Sequence, residues 1–100
     1  MIDFTRVVGF QWDSGNAVKS ERNHGVTQSE AEQIFFNDPL VVSADTKNSQ
    51  GETRVHALGQ TFDGRHLMVA FTTRDQGRLI RVLSARDMSR SERVRYDEDA

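Results

Sequence analysis

Several residues of the sequence have types and spacings that could do chemistry. His24-Gly25 is typical of a helix end, where the helix dipole favours a protonated imidazole that could give up a proton or hold a phosphate. The alternative, and the more common case, is a capping histidine without a chemical role. Glu52 and Arg54 are separated by one residue at the start of a predicted strand, so the carboxylate could orient the arginine toward a ligand or form an exposed ion pair with it.

Two arginines lie in or directly after the last predicted strand, 79–85. Arg81 interrupts the otherwise apolar run 79–85, where an unpaired charge is costly, so it must meet a carboxylate or open into a cleft. Arg86 follows directly after the end of this strand. In a regular strand the two arginines point to opposite faces, and they can converge only if the strand ends or bulges near Ser84-Ala85.

The last predicted helix places Arg90, Arg93 and Tyr96 on one face, because they are three residues apart. Arginines beside an aromatic ring suit RNA, through phosphate pairing and base stacking. The alternative is a solvated helix whose Tyr96 ring anchors it to a sheet.

The net charge of −2 hides a segregation of charge along the chain. Residues 74–96 have a charge of +4, contributed by arginine alone among the basic residues, and the acidic residues 97–99 follow. Such asymmetry indicates a polyanionic partner, and arginine can grip phosphate with two donors. The chain has no cysteine, and its three histidines lack metal-ligand spacing, so we expect neither a metal nor a cofactor.

The elements that must position these residues form one domain over residues 1–100. Capping boxes at Thr27–Glu30 and Ser89–Glu92 predict helix starts, and Asp63-Gly64 predicts a hairpin turn. The predicted order is β-α-α-β-β-β-β-α, an α+β fold with an antiparallel sheet of about five strands and helices on one face. The apolar last strand should be central. The predicted strands are 6–11, 40–44, 53–61, 66–73 and 79–85, and the predicted helices are 14–24, 28–36 and 90–97.

The sequence shows no signal peptide and no apolar stretch of the about 20 residues that a bilayer requires, so we expect a cytoplasmic protein without a membrane partner.

Over about residues 10–96, the chain resembles the BrnT family of toxin ribonucleases from bacterial type II toxin–antitoxin operons. The resemblance depends on an ordered set of short motifs, among them Phe10-x-Trp12-Asp13, Lys19, His24-Gly25-Val26, Glu30-Ala31-Glu32, Asp38-Pro39-Leu40, Glu52-x-Arg54, Ile80–Arg90 and Glu92-Arg93-x-Arg95-Tyr96.

The resemblance implies a RelE-like fold and an endoribonuclease that inhibits translation and growth. It also implies a BrnA-like antitoxin with a ribbon-helix-helix domain, operator DNA bound only through that antitoxin, and a complex in which the toxin could dimerise. Metal-free RNases use the ribose 2′-OH as nucleophile. We expect Arg54, Arg81 and Arg86 to contact phosphate, and His24 to transfer a proton with electrostatic help from Lys19. Tyr96 is expected to stack on a base or to transfer a proton, and Arg90 and Arg93 are expected to contact RNA. Glu32 or Glu52 is expected to orient an arginine.

Two positions depart from the family pattern. The family often has lysine directly before the histidine, where this chain has Asn23, and often has asparagine where this chain has Ser20. One basic group near the expected site is therefore missing, which could lower activity or shift proton transfer to another residue. Two other classes of function stay open: a non-catalytic RNA-binding module, and a degenerate toxin that acts only as antitoxin partner and operon co-regulator.

Overall fold

The structure is a computed structural model that describes residues 2–45 and 53–100. Its element order confirms the predicted order β-α-α-β-β-β-β-α. Single 3-10 turns lie at Phe4–Arg6 and Ile34–Phe36. The strands are β1 (Gly9–Trp12), β2 (Val41–Asp45), β3 (Arg54–Gln60), β4 (His66–Arg74) and β5 (Leu79–Asp87), and the helices are α1 (Ser14–His24), α2 (Gln28–Gln33) and α3 (Arg90–Asp99).

The five strands form one sheet in the order β1-β5-β4-β3-β2, so the apolar strand β5 is indeed internal. Strands β2 to β5 are antiparallel to their neighbours. The edge strand β1 runs parallel to β5, with Gly9 opposite Leu79 and Trp12 opposite Val82. The sheet is therefore mixed rather than wholly antiparallel. Residues 13–78 separate β1 from β5 in the chain, so no local turn fixes their relative direction.

Apolar side chains cover both faces of the sheet. On one face, Ala31 and Ile34 from α2 and the turn after it pack on a cluster that includes Phe71 and Val82. On the other face, Tyr96 of α3 packs on Leu58, Met68 and Ala70. The expectation that all helices lie on one face is therefore wrong. The reason is visible in β4, where Leu67–Phe71 is buried at every position and thus needs a cover on each side.

Helix α1 continues the sheet edge where β1 ends. The Asp13 side chain caps its start, and Gly25, at φ +64°, ends it in the left-handed conformation that favours glycine. Along its length, the Ser20 hydroxyl accepts from the Ala85 backbone N–H at 3.2 Å. These contacts place the side chains of α1 directly beside the second half of β5.

Candidate functional site

A cleft of about 430 Å³ opens between α1 and the sheet. It brings together three of the residues predicted to be catalytic: Lys19 and His24 from α1, and Arg54 from the start of β3. Leu83 and Ser84 of β5 line it between them. The cleft thus combines an imidazole with two cationic side chains that come from distant parts of the sequence, which is a suitable setting for a phosphate group and for proton transfer.

The end of α1 that contains His24 is fixed by Arg65, a residue that the sequence analysis missed. Arg65 Nη1 donates to the Gly25 carbonyl at 2.8 Å, and its Nη2 donates to the His24 carbonyl at 3.3 Å. The same guanidinium bonds to both carboxylate oxygens of Asp87 and to Glu30 at 3.0 Å. The sequence signal was slight, because Arg65 only follows the glycine of a predicted turn.

These contacts shift three ionisation equilibria. Hydrogen bonding to Asp87 raises the pKa of Arg65, and hydrogen bonding from Arg65 lowers the pKa of Asp87. The pKa of Glu30 is lowered mainly by the backbone N–H of Thr27 in the capping box and further by Arg65. All three groups are therefore charged at neutral pH and hold α1, α2 and β5 together at one end of the cleft.

A bulge in β5 places the side chains of Arg81 and Arg86 on the same face of the sheet. The register with β4 shifts by one residue, because Phe71 pairs with Val82 whereas Ala70 pairs with Ser84. One extra residue thus lies between the two arginines, which is the irregularity that their convergence requires. Both arginines point to the face on which Ser84 lies and on which α3 packs.

Arg81 lies on this face next to β1. Its Nη1 donates to Gln11 Oε1 at 3.2 Å, and its Nη2 is 3.9 Å from Asp13 Oδ2. The charge in the apolar strand is therefore met by a carboxylate and an amide, and about a quarter of the side chain stays exposed. Arg81 does not line the cleft itself.

Arg86 fastens α3 to β5. Its two terminal nitrogens donate to the two carboxylate oxygens of Glu92 at 2.8 and 2.9 Å. This pair raises the pKa of Arg86 and lowers that of Glu92, whose carboxylate also closes the capping box of α3. Arg86 is thus engaged in a bidentate pair and, like Arg81, does not line the cleft.

Tyr96 is buried beneath α3 with an exposed fraction of 2%. Its hydroxyl donates to the Pro39 carbonyl at 2.7 Å and accepts from the Gln60 side chain at 3.3 Å. Its ring meets His66 edge to face. These contacts correspond to the anchoring alternative, because a buried ring with both sides of its hydroxyl engaged offers no surface for base stacking.

Glu32, one of the two predicted orienting carboxylates, bonds to no arginine among the described residues. Glu32 accepts from the Trp12 indole N–H at 2.7 Å and from Gln28 at 3.4 Å. The prediction that it orients an arginine is corrected accordingly: it holds the indole between α2 and β1. Glu52 lies outside the described residues.

Arg90 and Arg93 line a second cleft of about 400 Å³ at the start of α3, together with His66 and Ser89. Both arginines are exposed. Arg93 Nε is 4.0 Å from Asp97, and two residues later Arg95 Nε is 3.6 Å from Asp99. Two residues of the acidic tail, 97–99, thus pair with two arginines of the same helix.

Within 2–45 and 53–100, no group of three or more histidine and carboxylate side chains is placed to hold a metal ion. No helix in these ranges is long and apolar enough to cross a membrane.

Comparison with known proteins identifies the family. A family model described as the ribonuclease toxin BrnT of type II toxin–antitoxin systems matches residues 12–92. The crystal structure of the Brucella abortus ribonuclease toxin BrnT is similar in fold, with a TM-score of 0.59 and 16% sequence identity, covering 84% of this chain and 100% of that one. No curated protein sequence matches the chain. Because the family model spans most of the sequence, the chain belongs to the BrnT family of ribonuclease toxins.

Proposed function

We propose that this chain is the toxin of a type II toxin–antitoxin system and an endoribonuclease that cleaves RNA without a metal ion, by attack of the ribose 2′-OH. The observation that supports this most directly is the cleft where His24, Lys19 and Arg54 meet. An exposed imidazole can transfer a proton, and two cations can stabilise the charge that develops on phosphorus.

In the proposed reaction, the 2′ oxygen attacks the adjacent phosphorus and the 5′ oxygen leaves, which gives a 2′,3′-cyclic phosphate and a 5′-OH. Arg54 and Lys19 hold the scissile phosphate, and His24 transfers a proton. Arg81, on the sheet face that Ser84 shares, contacts a neighbouring phosphate. Arg90 and Arg93 contact the RNA farther along, and Arg86 acts through its pair with Glu92 by holding α3 in place.

The test is cleavage of an oligoribonucleotide in EDTA by the purified chain, with His24→Ala and Arg54→Ala as variants. We expect a product with a 2′,3′-cyclic end and no cleavage where the substrate has a 2′-deoxyribose. The variants should lose between about 10²- and 10⁴-fold in rate, the usual contribution of a proton-transfer or charge-stabilising group. Undiminished cleavage by folded variants, or a strict need for added metal, would contradict the proposal.

We propose a BrnA-like antitoxin with a ribbon-helix-helix domain as the partner, and operator DNA as a ligand of the complex only. The toxin would act in the cytoplasm, inhibit translation and could dimerise within the complex. Expression of the chain alone should stop growth, and co-expression of the neighbouring open reading frame should restore it. Purified chain without its partner should not retain operator DNA.

One observation favours a second candidate, a degenerate toxin that binds RNA or antitoxin without cleaving. Asn23 stands where the family often has lysine, so α1 has one cation fewer near Lys19. In this case the chain would bind RNA with no product, His24→Ala would change nothing, and expression alone would leave growth unaffected. Asn23→Lys would then gain the cleavage activity that the chain lacks.

A further inference from the structure

We propose that His56, held by Asp45, is the general base of the reaction and that His24 is the general acid. This inference rests on the proposed ribonuclease function and adds the second proton-transfer group that such a reaction uses. Attack and departure occur on opposite sides of the phosphorus, so base and acid should come from opposite sides of the substrate. His24 comes from α1, and His56 comes from β3 on the other side of β5 and β4.

His56 lies on the face of the sheet that bears the cleft. It is two residues beyond Arg54 in β3, and alternate residues of a strand point to the same face. In the sheet register, His56 is opposite Ala70, and Ala70 is opposite Ser84, which lines the cleft. Two strand spacings, or about 10 Å, therefore separate the backbone of His56 from that of Ser84.

Asp45 gives His56 the orientation and tautomer of a base. His56 Nε2 lies 3.0 Å from Asp45 Oδ2, so this nitrogen holds its proton toward the carboxylate and leaves Nδ1 as the acceptor. The Asp45 side chain is 9% exposed, whereas that of His56 is 34% exposed. The carboxylate is thus a nearly buried support, and the imidazole in front of it is open to a substrate.

The proton balance is complete with these two residues. Nδ1 of His56 takes the proton of the 2′-OH as the bond from the 2′ oxygen to phosphorus forms. The bond from phosphorus to the 5′ oxygen breaks, and the imidazolium of His24 protonates that oxygen. Asp45 is a positioning residue, since it acts on the substrate only through His56.

A substrate with sulfur in place of the bridging 5′ oxygen separates the two roles, because a thiolate leaves without being protonated. The experiment compares this analogue with the ordinary oligoribonucleotide for wild type, His24→Ala, His56→Ala and His56→Gln. Glutamine can still donate to Asp45 but cannot take a proton. Ser43→Ala, which changes the residue opposite His56 on β2, is the matched control and should cleave as wild type does. Circular dichroism verifies that each variant is folded.

On the ordinary substrate, we expect both His56 variants and His24→Ala to lose between about 10²- and 10⁴-fold in rate. On the sulfur analogue, His24→Ala should recover most of this loss, and the His56 variants should recover none. The assignment of His56 would be wrong if either folded His56 variant cleaved the ordinary substrate at the wild-type rate, or if the His56 variants recovered on the analogue. Either result would leave the ribonuclease proposal intact. If wild type cleaved neither substrate, the ribonuclease proposal would fail and the assignment with it.

Discussion

The guanidinium of Arg65 donates to the backbone carbonyl of His24, a residue 41 positions earlier in the chain. The same side chain reaches Gly25, Glu30 and Asp87. Its positive charge therefore meets the negative end of α1, where four carbonyl groups lack partners within the helix. The position of His24 at the cleft thus depends on a residue in the turn between β3 and β4.

Replacing Arg65 with alanine should therefore lower both stability and activity. The change leaves Asp87 and Glu30 without their cation and frees the end of α1. Because about a third of the Arg65 side chain is exposed, we expect a loss of about 1–2 kcal/mol in the free energy of unfolding. Urea unfolding measures this loss, and RNA cleavage by the folded fraction should also fall.

The matched control is Arg78→Ala, which removes an exposed arginine paired with Asp75 in the turn between β4 and β5. Its effect on unfolding should stay within about 0.5 kcal/mol. Equal effects of the two substitutions would show that Arg65 has no special role in fixing α1.

The local features of the fold could be predicted from the sequence. The capping boxes at Thr27–Glu30 and Ser89–Glu92 are both formed, and they place the starts of α2 and α3. The glycine of the predicted turn Asp63-Gly64 has a positive φ of 86°. Each of these signals depends on residues within a few positions of one another, and neighbouring residues determine their geometry.

The features that needed long-range contacts could not be predicted. The parallel pairing of β1 with β5 and the cover of α3 on the reverse face both depend on elements far apart in the chain. For the candidate site, the sequence indicated His24, Lys19 and Arg54 separately, but only the packing of α1 along β5 brings them into one cleft. It was also not possible to predict from the sequence that Arg86 pairs with Glu92 rather than with a ligand.

The pair between Arg86 and Glu92 should make stability depend on acid pH. Arg86 lowers the pKa of Glu92 below its ordinary value of 4.5, so the folded state binds this proton less readily than the unfolded state. The stabilisation is therefore complete above about pH 4.5 and is lost as the pH falls through the lower folded value. Urea unfolding between about pH 6 and pH 3 should show the decline, and Arg86→Ala should reduce it. An unchanged slope in that variant would contradict this account.

Tyr96→Phe should separate an anchor from a catalytic group. The substitution keeps the buried ring and removes the hydroxyl that bonds to Pro39 and Gln60. We expect a loss of about 1 kcal/mol in the free energy of unfolding, the usual contribution of a hydrogen bond, and an unchanged RNA cleavage rate per folded molecule. A large fall in that rate with stability intact would restore the proton-transfer role for Tyr96.

The acidic tail should weaken RNA binding by neutralising the arginines of α3. Arg93 and Arg95 each lie within 4.0 Å of an acid one turn later, Asp97 and Asp99 respectively, so part of the basic charge of α3 is already satisfied within the helix. The double substitution Asp97→Asn and Asp99→Asn should free both guanidinium groups for phosphate. RNA affinity should then rise, and the slope of its logarithm against the logarithm of salt concentration should steepen by up to about 0.7 for each added phosphate contact.

The control is Glu98→Gln, which removes a negative charge between Asp97 and Asp99. A simple change in net charge would raise affinity without steepening the slope in this way. Equal slopes for wild type, the double variant and Glu98→Gln would show that the pairs within α3 leave its arginines as available to RNA as before.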